Sequence, residues 1–409
     1  MQESVGWIFS PLSEGRIGLT RWGAVAAELL IAVLCGVGLL AIGLGSGAWI
    51  LGGIAAGAIV YWIWLNTGAT NLKPNRNARK LGQILIGLSI GLSLQNTYLA
   101  HLAPQLVLFL GLALCLLLCS GLVGALYASL EKTDLLTGVL STTPGNIGVM
   151  ASIAGDYSQH AALVSLVQLL RFTAIITIVP AIANGYLHTD SNGFSIFHTT
   201  LTDLTHGALQ DWGLAAIVIL LAVITVQFCT QIQLPVAAFL ASIGVGIAWS
   251  LLTQGLSLHF QMPGIINIFG QILLGITMGE YWGLSPQFER SRVMRSFIPV
   301  GLIFVAGFLT ALLAKLLTPW DWLTCLLVAA PGGSPEMIWI ALSMHHDVEV
   351  VTASHLVRLL TINLSLPWIV AMATHWSQQT LVSWDQSGHV KLEPAGSEPV
   401  ESEAITTPE

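Results

Sequence analysis

The sequence predicts an all-α integral membrane protein built from two inverted repeats of about six hydrophobic segments each. That gives about ten spanning helices plus two segments broken or re-entrant at a Pro-Gly pair. Three observations predict it. Hydrophobic residues make up 54% of the 409 residues and charged residues 9%, against roughly 25% charged in soluble globular chains, too few to coat a water-facing surface. Apolar runs of spanning length recur along the chain, and the second half repeats the first.

The elements follow in order. Residues 1–23 form an N-terminal segment expected in the cytoplasm. The first apolar run starts near Ala24, behind Arg16 and Arg21, and at about 20 residues it is too long for the core of a signal peptide. Leu44-Gly45-Ser46-Gly47 behind it makes a poor cleavage site, so a retained first helix is expected. The first repeat, 24–183, holds apolar runs near 24–44, 48–69, 81–95, 104–130, 134–154 and 161–183. A polar connection, 184–210, carries no Lys or Arg. The second repeat, 211–375, holds runs near 211–229, 235–252, 264–280, 296–318, 321–343 and 351–373. The chain then turns acidic over 376–409, and Pro, Ser and Glu dominate from Glu393, a composition that predicts disorder.

Charge excludes some functions. The 14 Lys+Arg and 21 Asp+Glu sum to −7, of which six acids and one base from Asp385 onward supply −5, leaving −2 for the body. No basic patch supports nucleic-acid binding. Cys35, Cys115, Cys119, Cys229 and Cys325 all lie in apolar runs without a CxxC pair, so neither disulfides nor zinc are expected. His345, His346 and Asp347 with His355 lack metal-ligand spacing. No metal or cofactor is expected; the implied partners are the lipid bilayer, a small solute and a coupling ion.

The repeat has a register. A shift of 187 aligns Asp134–Ile182 with Asp321–Ile369 at 15 identities over 49 positions, including Pro144/Pro331, Gly145/Gly332, Met150/Met337, Arg171/Arg358 and Pro180/Pro367. A shift of 188 aligns Gly82-Gln83-Ile84-Leu85 with Gly270-Gln271-Ile272-Leu273, then Gly87/Gly275 and Gly91/Gly279. Lys73, Arg76, Arg79 and Lys80 precede the first of these helices, while Arg290, Arg292 and Arg295 follow the second. Short basic loops stay cytoplasmic, so equivalent helices are expected to run in opposite directions. Inversion needs an odd number of crossings per half. The Pro-Gly segments are the best candidates not to cross, which puts both basic loops and both termini inside and 184–210 outside. Broken helices that cross, with a short segment elsewhere failing to span, are the alternative.

Chemistry concentrates at the breaks. At Pro144-Gly145-Asn146 and Pro331-Gly332-Gly333-Ser334-Pro335-Glu336, proline removes a backbone donor and glycine a side chain, so a helix must open. Open backbone at membrane depth survives only inside protein or beside a water-filled cavity. Arg171 and Arg358 sit inside the following apolar runs and must face protein or water. They either grip an anionic substrate or pair with carbonyls of the opened segments, with Glu336 or with Asp156. Glu336, opposite Val149 in the repeat, suits a coupling carboxylate or a partner for Arg358. Gln168 lies three residues before Arg171 and His355 three before Arg358, so each pair shares a helix face, and Asn363 could join the same cavity. Gln83 and Gln271 suit hydrogen bonding between helices.

These motifs resemble the AbrB family of duplicated polytopic bacterial membrane proteins, not the soluble DNA-binding regulator that shares the name. The resemblance spans roughly 24–375 and is sharpest at Thr143-Pro144-Gly145 with Arg171, and at Ala330-Pro331-Gly332-Gly333 with Pro335-Glu336-Met337 and Arg358. Asn146 and Gly148 replace the fuller Gly-Gly-x-x-Glu pattern in the first half. The resemblance implies a transporter-like inverted-repeat fold in the bacterial inner membrane. Family members carry the labels ammonia monooxygenase and regulator of gene expression; the residues here support no monooxygenase, and no enzyme activity is expected. The expected function is secondary transport of a small anionic organic solute coupled to H+ or Na+, with a membrane regulatory or sensing role as the alternative.

Overall fold

The computed structural model describes residues 15–42, 47–66, 75–94, 103–145, 149–150, 153–154, 160–187, 209–234, 236–256, 260, 262–284, 290–344 and 346–386. Among them are thirteen α-helices and no strand. The first repeat supplies α1 (Gly15–Ala41), α2 (Ala48–Asn66), α3 (Arg76–Ser93), α4 (Leu106–Glu131), α5 (Leu135–Thr142) and α6 (Ala161–Leu187). The second supplies α7 (Leu209–Gln231), α8 (Ala237–Gly255), α9 (Gly264–Leu284), α10 (Arg290–Leu317), α11 (Trp322–Ala329), α12 (Ser334–Ser343) and α13 (Val348–Gln386). Seven are long and apolar enough to cross a membrane. The outward residues of α4, Val107, Leu118 and Leu122, are 80%, 69% and 74% exposed, as lipid contact requires.

The Pro-Gly segments double back. In the second half, the Asp321 side chain accepts from the Leu323 backbone N–H at 3.0 Å and starts α11. His346 Nδ1 lies 3.5 Å from Asp321 Oδ2, and Thr324 Oγ1 donates to Asp347 Oδ2 at 3.2 Å. The start of α11 therefore sits beside the end of α12, and the pair is a hairpin. The first half starts alike: Asp134 Oδ2 accepts from Thr137 N–H at 2.9 Å at the head of α5. Met150 and Ala154 pack with Leu136 and Leu140 of α5, so the described residues after the Pro-Gly pair lie back against that helix. Residues 146–148, 151–152 and 155–159 lie outside the described residues. A hairpin in each half leaves five longer helices per half, the odd number that inversion requires, and seven of these ten are long and apolar enough to cross a membrane.

The two hairpins approach from opposite ends of the molecule, and α13 records it. Val351, early in α13, packs with Leu323, Cys325 and Met337 of the second hairpin. Ile362, Leu366 and Ala373, further along, pack with Leu136 and Leu140 of the first. The eight residues of α5 or α11 rise about 12 Å, a little under half of a hydrocarbon core about 30 Å thick. Tips entering from opposite ends meet in the interior, at one cavity.

Glycine sets the inversion. Gly53 lies against residues 272–276 and Gly57 against 276–280, so α2 and α9 run parallel. Gly87 lies against Phe239 and Ser242, and Gly91 against Ile243 and Gly246, so α3 and α8 run parallel too. The Asn75 N–H donates to Glu280 Oε2 at 2.7 Å and Gly82 meets Gly270, which makes α3 antiparallel to its own repeat equivalent, α9. A Cβ on Gly53 would stand 2.6 Å from the Ile272 carbonyl and one on Gly246 2.7 Å from that of Leu88. These approaches tolerate no side chain. Gly53→Leu should lower the melting midpoint of the detergent-solubilised protein by several degrees, read by intrinsic fluorescence; an unchanged midpoint would show that α2 and α9 can part freely.

Several boundaries move. Helices α6 and α13 continue through Pro180 and Pro367, as the apolar runs 161–183 and 351–373 do, and extend beyond both runs to Leu187 and Gln386; a proline removes only one ladder bond and the turns beyond re-form. Arg76, Arg79 and Lys80 lie in the first turns of α3, and Arg290, Arg292 and Arg295 in those of α10, so these charges belong to helices and not to loops. Helix α13 runs to Gln386, taking in 376–386 of the segment expected to be disordered. The remainder of that tail, residues 1–14 of the N-terminal segment and 188–208 of the connection lie outside the described residues.

Candidate functional site

Each hairpin is held open by the helix that follows it, through the same device. In the first half Gln168 Nε2 donates to the Leu140 and Thr143 carbonyls at 2.6 and 3.0 Å, and its Oε1 accepts from Arg171 Nη2 at 2.6 Å. Arg171 Nη1 donates to the Thr142 carbonyl at 2.9 Å. In the second half His355 takes the glutamine's place: Nε2 lies 2.9 Å from the Leu327 carbonyl and Nδ1 2.6 Å from Arg358 Nη2. A neutral imidazole with its proton on Nε2 satisfies both contacts. Arg358 also donates to the Ala330 carbonyl and to Ser334 Oγ. Helix ends leave carbonyls without partners, and here two buried guanidinium groups fill that role.

The tips share one cavity of about 70 Å³. Pro144 and Gly145 line it from one side, Gly332, Gly333, Ser334, Pro335 and Glu336 from the other, with Arg171 and Arg358 between. Gly332 and Gly333 have φ of +134° and +61°, a turn that favours glycine. A Cβ at Gly332 would stand 3.5 Å from Arg171 Nε, so the first repeat's arginine faces the second repeat's tip. Three polar atoms around the cavity are shielded from solvent and make no hydrogen bond: Arg171 Nε, Arg79 Nε and Glu336 Oε2. The walls are otherwise apolar, from Phe172 and Ile175 of α6, Phe239 of α8, and Leu274 and Met278 of α9.

Most of the residues singled out by sequence come together here. Gln168 and His355 stand behind the arginines and do not line the cavity. Pro331 turns toward α10, where a Cβ on Gly307 would be 3.1 Å from its Cδ. Asn363 donates from Nδ2 to the Leu359 carbonyl of its own helix at 2.7 Å and is not among the residues that line the cavity. Glu336 and Arg358 are not ion-paired; the arginine is taken by Ala330, Ser334 and His355. Asn146 and Asp156 lie outside the described residues, as does His345. His346 and Asp347 serve the base of the second hairpin instead, and no group of three or more potential metal ligands occurs among the described residues.

Sequence reasoning missed Arg79 as a site residue and read Gln83 as a packing group. Both line the cavity. Arg79 counted only as a loop charge because the apolar run begins at 81. Its spacing of four from Gln83, on a helix that starts at Arg76, puts the two on one face, and that signal could have found it.

Comparison with known proteins follows this architecture. Over 336 residues the chain is 26% identical to a Bacillus subtilis (strain 168) protein named "Uncharacterized protein YhjN", covering 80% of this chain and 87% of that one. Over 356 residues it is 24% identical to "Putative regulator AbrB" of Escherichia coli (strain K12), covering 85% of this chain and 95% of that one. The family model described as "Transition state regulatory protein AbrB" matches residues 49–374, which takes in both hairpins and every helix of the cavity. On that match the chain belongs to the AbrB family.

Proposed function

We propose that the protein is a secondary transporter of a small anionic organic solute, coupled to H+ or Na+, with the solute bound where the two hairpin tips meet. One observation carries the reading: two opposed hairpins end at a common cavity walled by three arginines and one carboxylate. Arginine in so apolar a setting is expensive, and an excess of positive charge facing a cavity favours an anion. A space of about 70 Å³ holds a few waters, each needing at least about 10–15 Å³, so a larger solute requires the tips to part. Inverted repeats supply that motion by rocking one bundle against the other. The basic residues at the starts of α3 and α10 favour a bacterial inner-membrane placement with those ends and both termini in the cytoplasm. No bond-making chemistry is assigned to the site.

The Escherichia coli relative's name favours a second reading, a membrane protein that affects gene expression. Transport of a signalling solute would reconcile the two. The test is flux in proteoliposomes loaded with a pH dye or a sodium dye and challenged with a panel of small carboxylates. Solute-dependent ion entry that is lost in Gly332→Leu supports transport. Protein that reconstitutes fully and moves neither ion with any member of the panel would leave the regulatory reading in its place.

A further inference from the structure

Two charged side chains break the symmetry of the repeats, and both end in the same cavity. Arg79 of α3 corresponds to Asn267 of α9 under the shift of 188, and Glu336 of α12 corresponds to Val149 under the shift of 187. The symmetric pair is largely engaged: Arg171 donates to the Thr142 carbonyl and Gln168, and Arg358 to the Ala330 carbonyl and His355, leaving only Arg171 Nε without a partner. The asymmetric pair is not. Arg79 Nε and Glu336 Oε2 lack hydrogen-bond partners, and both side chains line the cavity without forming an ion pair. Glu336 is 3% exposed.

The charged and titratable groups that face Glu336 are Arg79 from α3, Arg171 from α6, and Arg358 with His355 behind it from α13. Val236 just before α8, Phe239 of α8, and Leu274 and Met278 of α9 also line the cavity, and none of them titrates. A buried carboxylate oxygen without a hydrogen-bond partner is costly unless the group is paired or neutralised. Arg79, on the same cavity, is the positive charge that acts on it. An anion that takes Arg79 removes that support and adds a like charge beside the carboxylate, which then favours its protonated form.

Resting on the transporter reading, we propose that Arg79 and Glu336 are the coupling pair: a small carboxylate or oxoanion binds the Arg79 guanidinium while one proton from water bonds to the Glu336 carboxylate. For a monovalent anion the balance is one negative charge and one proton in, so the charge of the site is unchanged. The coupling ion is thus H+ and not Na+. Arg171 and Arg358 act as positioning residues that keep the tips open.

Acetate is the probe, a small carboxylate that is mostly ionised between pH 5.5 and 8.5, against a background of gluconate at constant ionic strength. Binding is followed in detergent by the acetate-dependent shift of the melting midpoint, and proton uptake by a pH dye in weak buffer. Wild type should take up close to one proton per acetate bound, with apparent affinity falling about tenfold per pH unit once Glu336 is ionised. Glu336→Gln should bind with no proton uptake and a flat pH profile. Arg79→Gln should weaken binding by at least about tenfold, and Arg79→Lys, which keeps the point charge, by less. Melting without acetate checks that each variant is folded, and Arg79→Lys carries the test if Arg79→Gln is not. Proton uptake that persists in Glu336→Gln, or wild-type affinity in Arg79→Gln, overturns the pair and leaves the transporter reading standing. Wild type that shows no acetate response at any pH overturns the anion site itself, and the pair with it.

Discussion

Arg358→Gln should destabilise the protein strongly, by about 3 kcal/mol or more, and lower its abundance in the membrane. The guanidinium serves the Ala330 carbonyl, Ser334 Oγ and His355 Nδ1 at once, and hydrogen bonds from a charged donor contribute about 1.5–3 kcal/mol each. Removing it leaves a buried carbonyl and an imidazole nitrogen without a donor, in a place water reaches poorly. Lysine should not rescue, because one ammonium cannot reproduce a fork directed at partners on two elements. Arg171→Gln should follow in the same direction, since Arg171 makes the equivalent bonds to Thr142 and Gln168. Melting midpoint and membrane abundance are the measurements. A Gln variant with wild-type stability and abundance that loses only anion binding would make the arginine a ligand group and not a brace.

Gly332→Leu should abolish transport and the acetate response while leaving the outer helices packed. Two effects add. At φ +134° a non-glycine residue costs on the order of 1–3 kcal/mol. The new Cβ would also stand 3.4 Å from Ile175 Cδ1 and 3.5 Å from Arg171 Nε, so the rest of the leucine must enter the cavity or displace the arginine. Gly145→Leu should block transport too, with less loss of stability, because its Cβ meets the flexible end of Met150. Proteoliposome flux is compared at matched protein content, with size-exclusion behaviour as the control for packing. Normal flux in Gly332→Leu would remove the tips from the site.

The parts of this site that sequence revealed share one property: they are rare where they occur. Proline, paired glycine and arginine inside apolar runs stand out from a background of Leu, Ile and Val, and a second copy at a fixed shift removes coincidence. Hydropathy carries no direction, however. A hairpin and a broken spanning helix have the same composition, and only the meeting of Asp321 with His346 and of Thr324 with Asp347 distinguishes them. Arg79 was hidden for a related reason. A charge at the edge of an apolar run looks like loop charge until a tertiary contact shows where the helix begins. Asn363, eight residues after His355 and so near the same side of α13, donates to the Leu359 carbonyl of its own helix, and sequence polarity does not show which acceptor a side chain takes. That Gln168 and His355 do one job with different chemistry was legible only in part: the spacing was visible, but not the carbonyls they reach.

The crossed packing of the repeats bears on how the protein is made. Helices α2 and α3 find their glycine-lined partners in α9 and α8, which the ribosome delivers roughly two hundred residues later. During synthesis at about 5–20 residues per second, those bare backbone faces wait in lipid for ten seconds or more. A nascent chain stopped before Ala237 holds inserted helices without the surfaces that define their tilt. Assembly is therefore governed by long-range contacts made after insertion, the slow class of contact. The first half serves as a template for the second half's arrival.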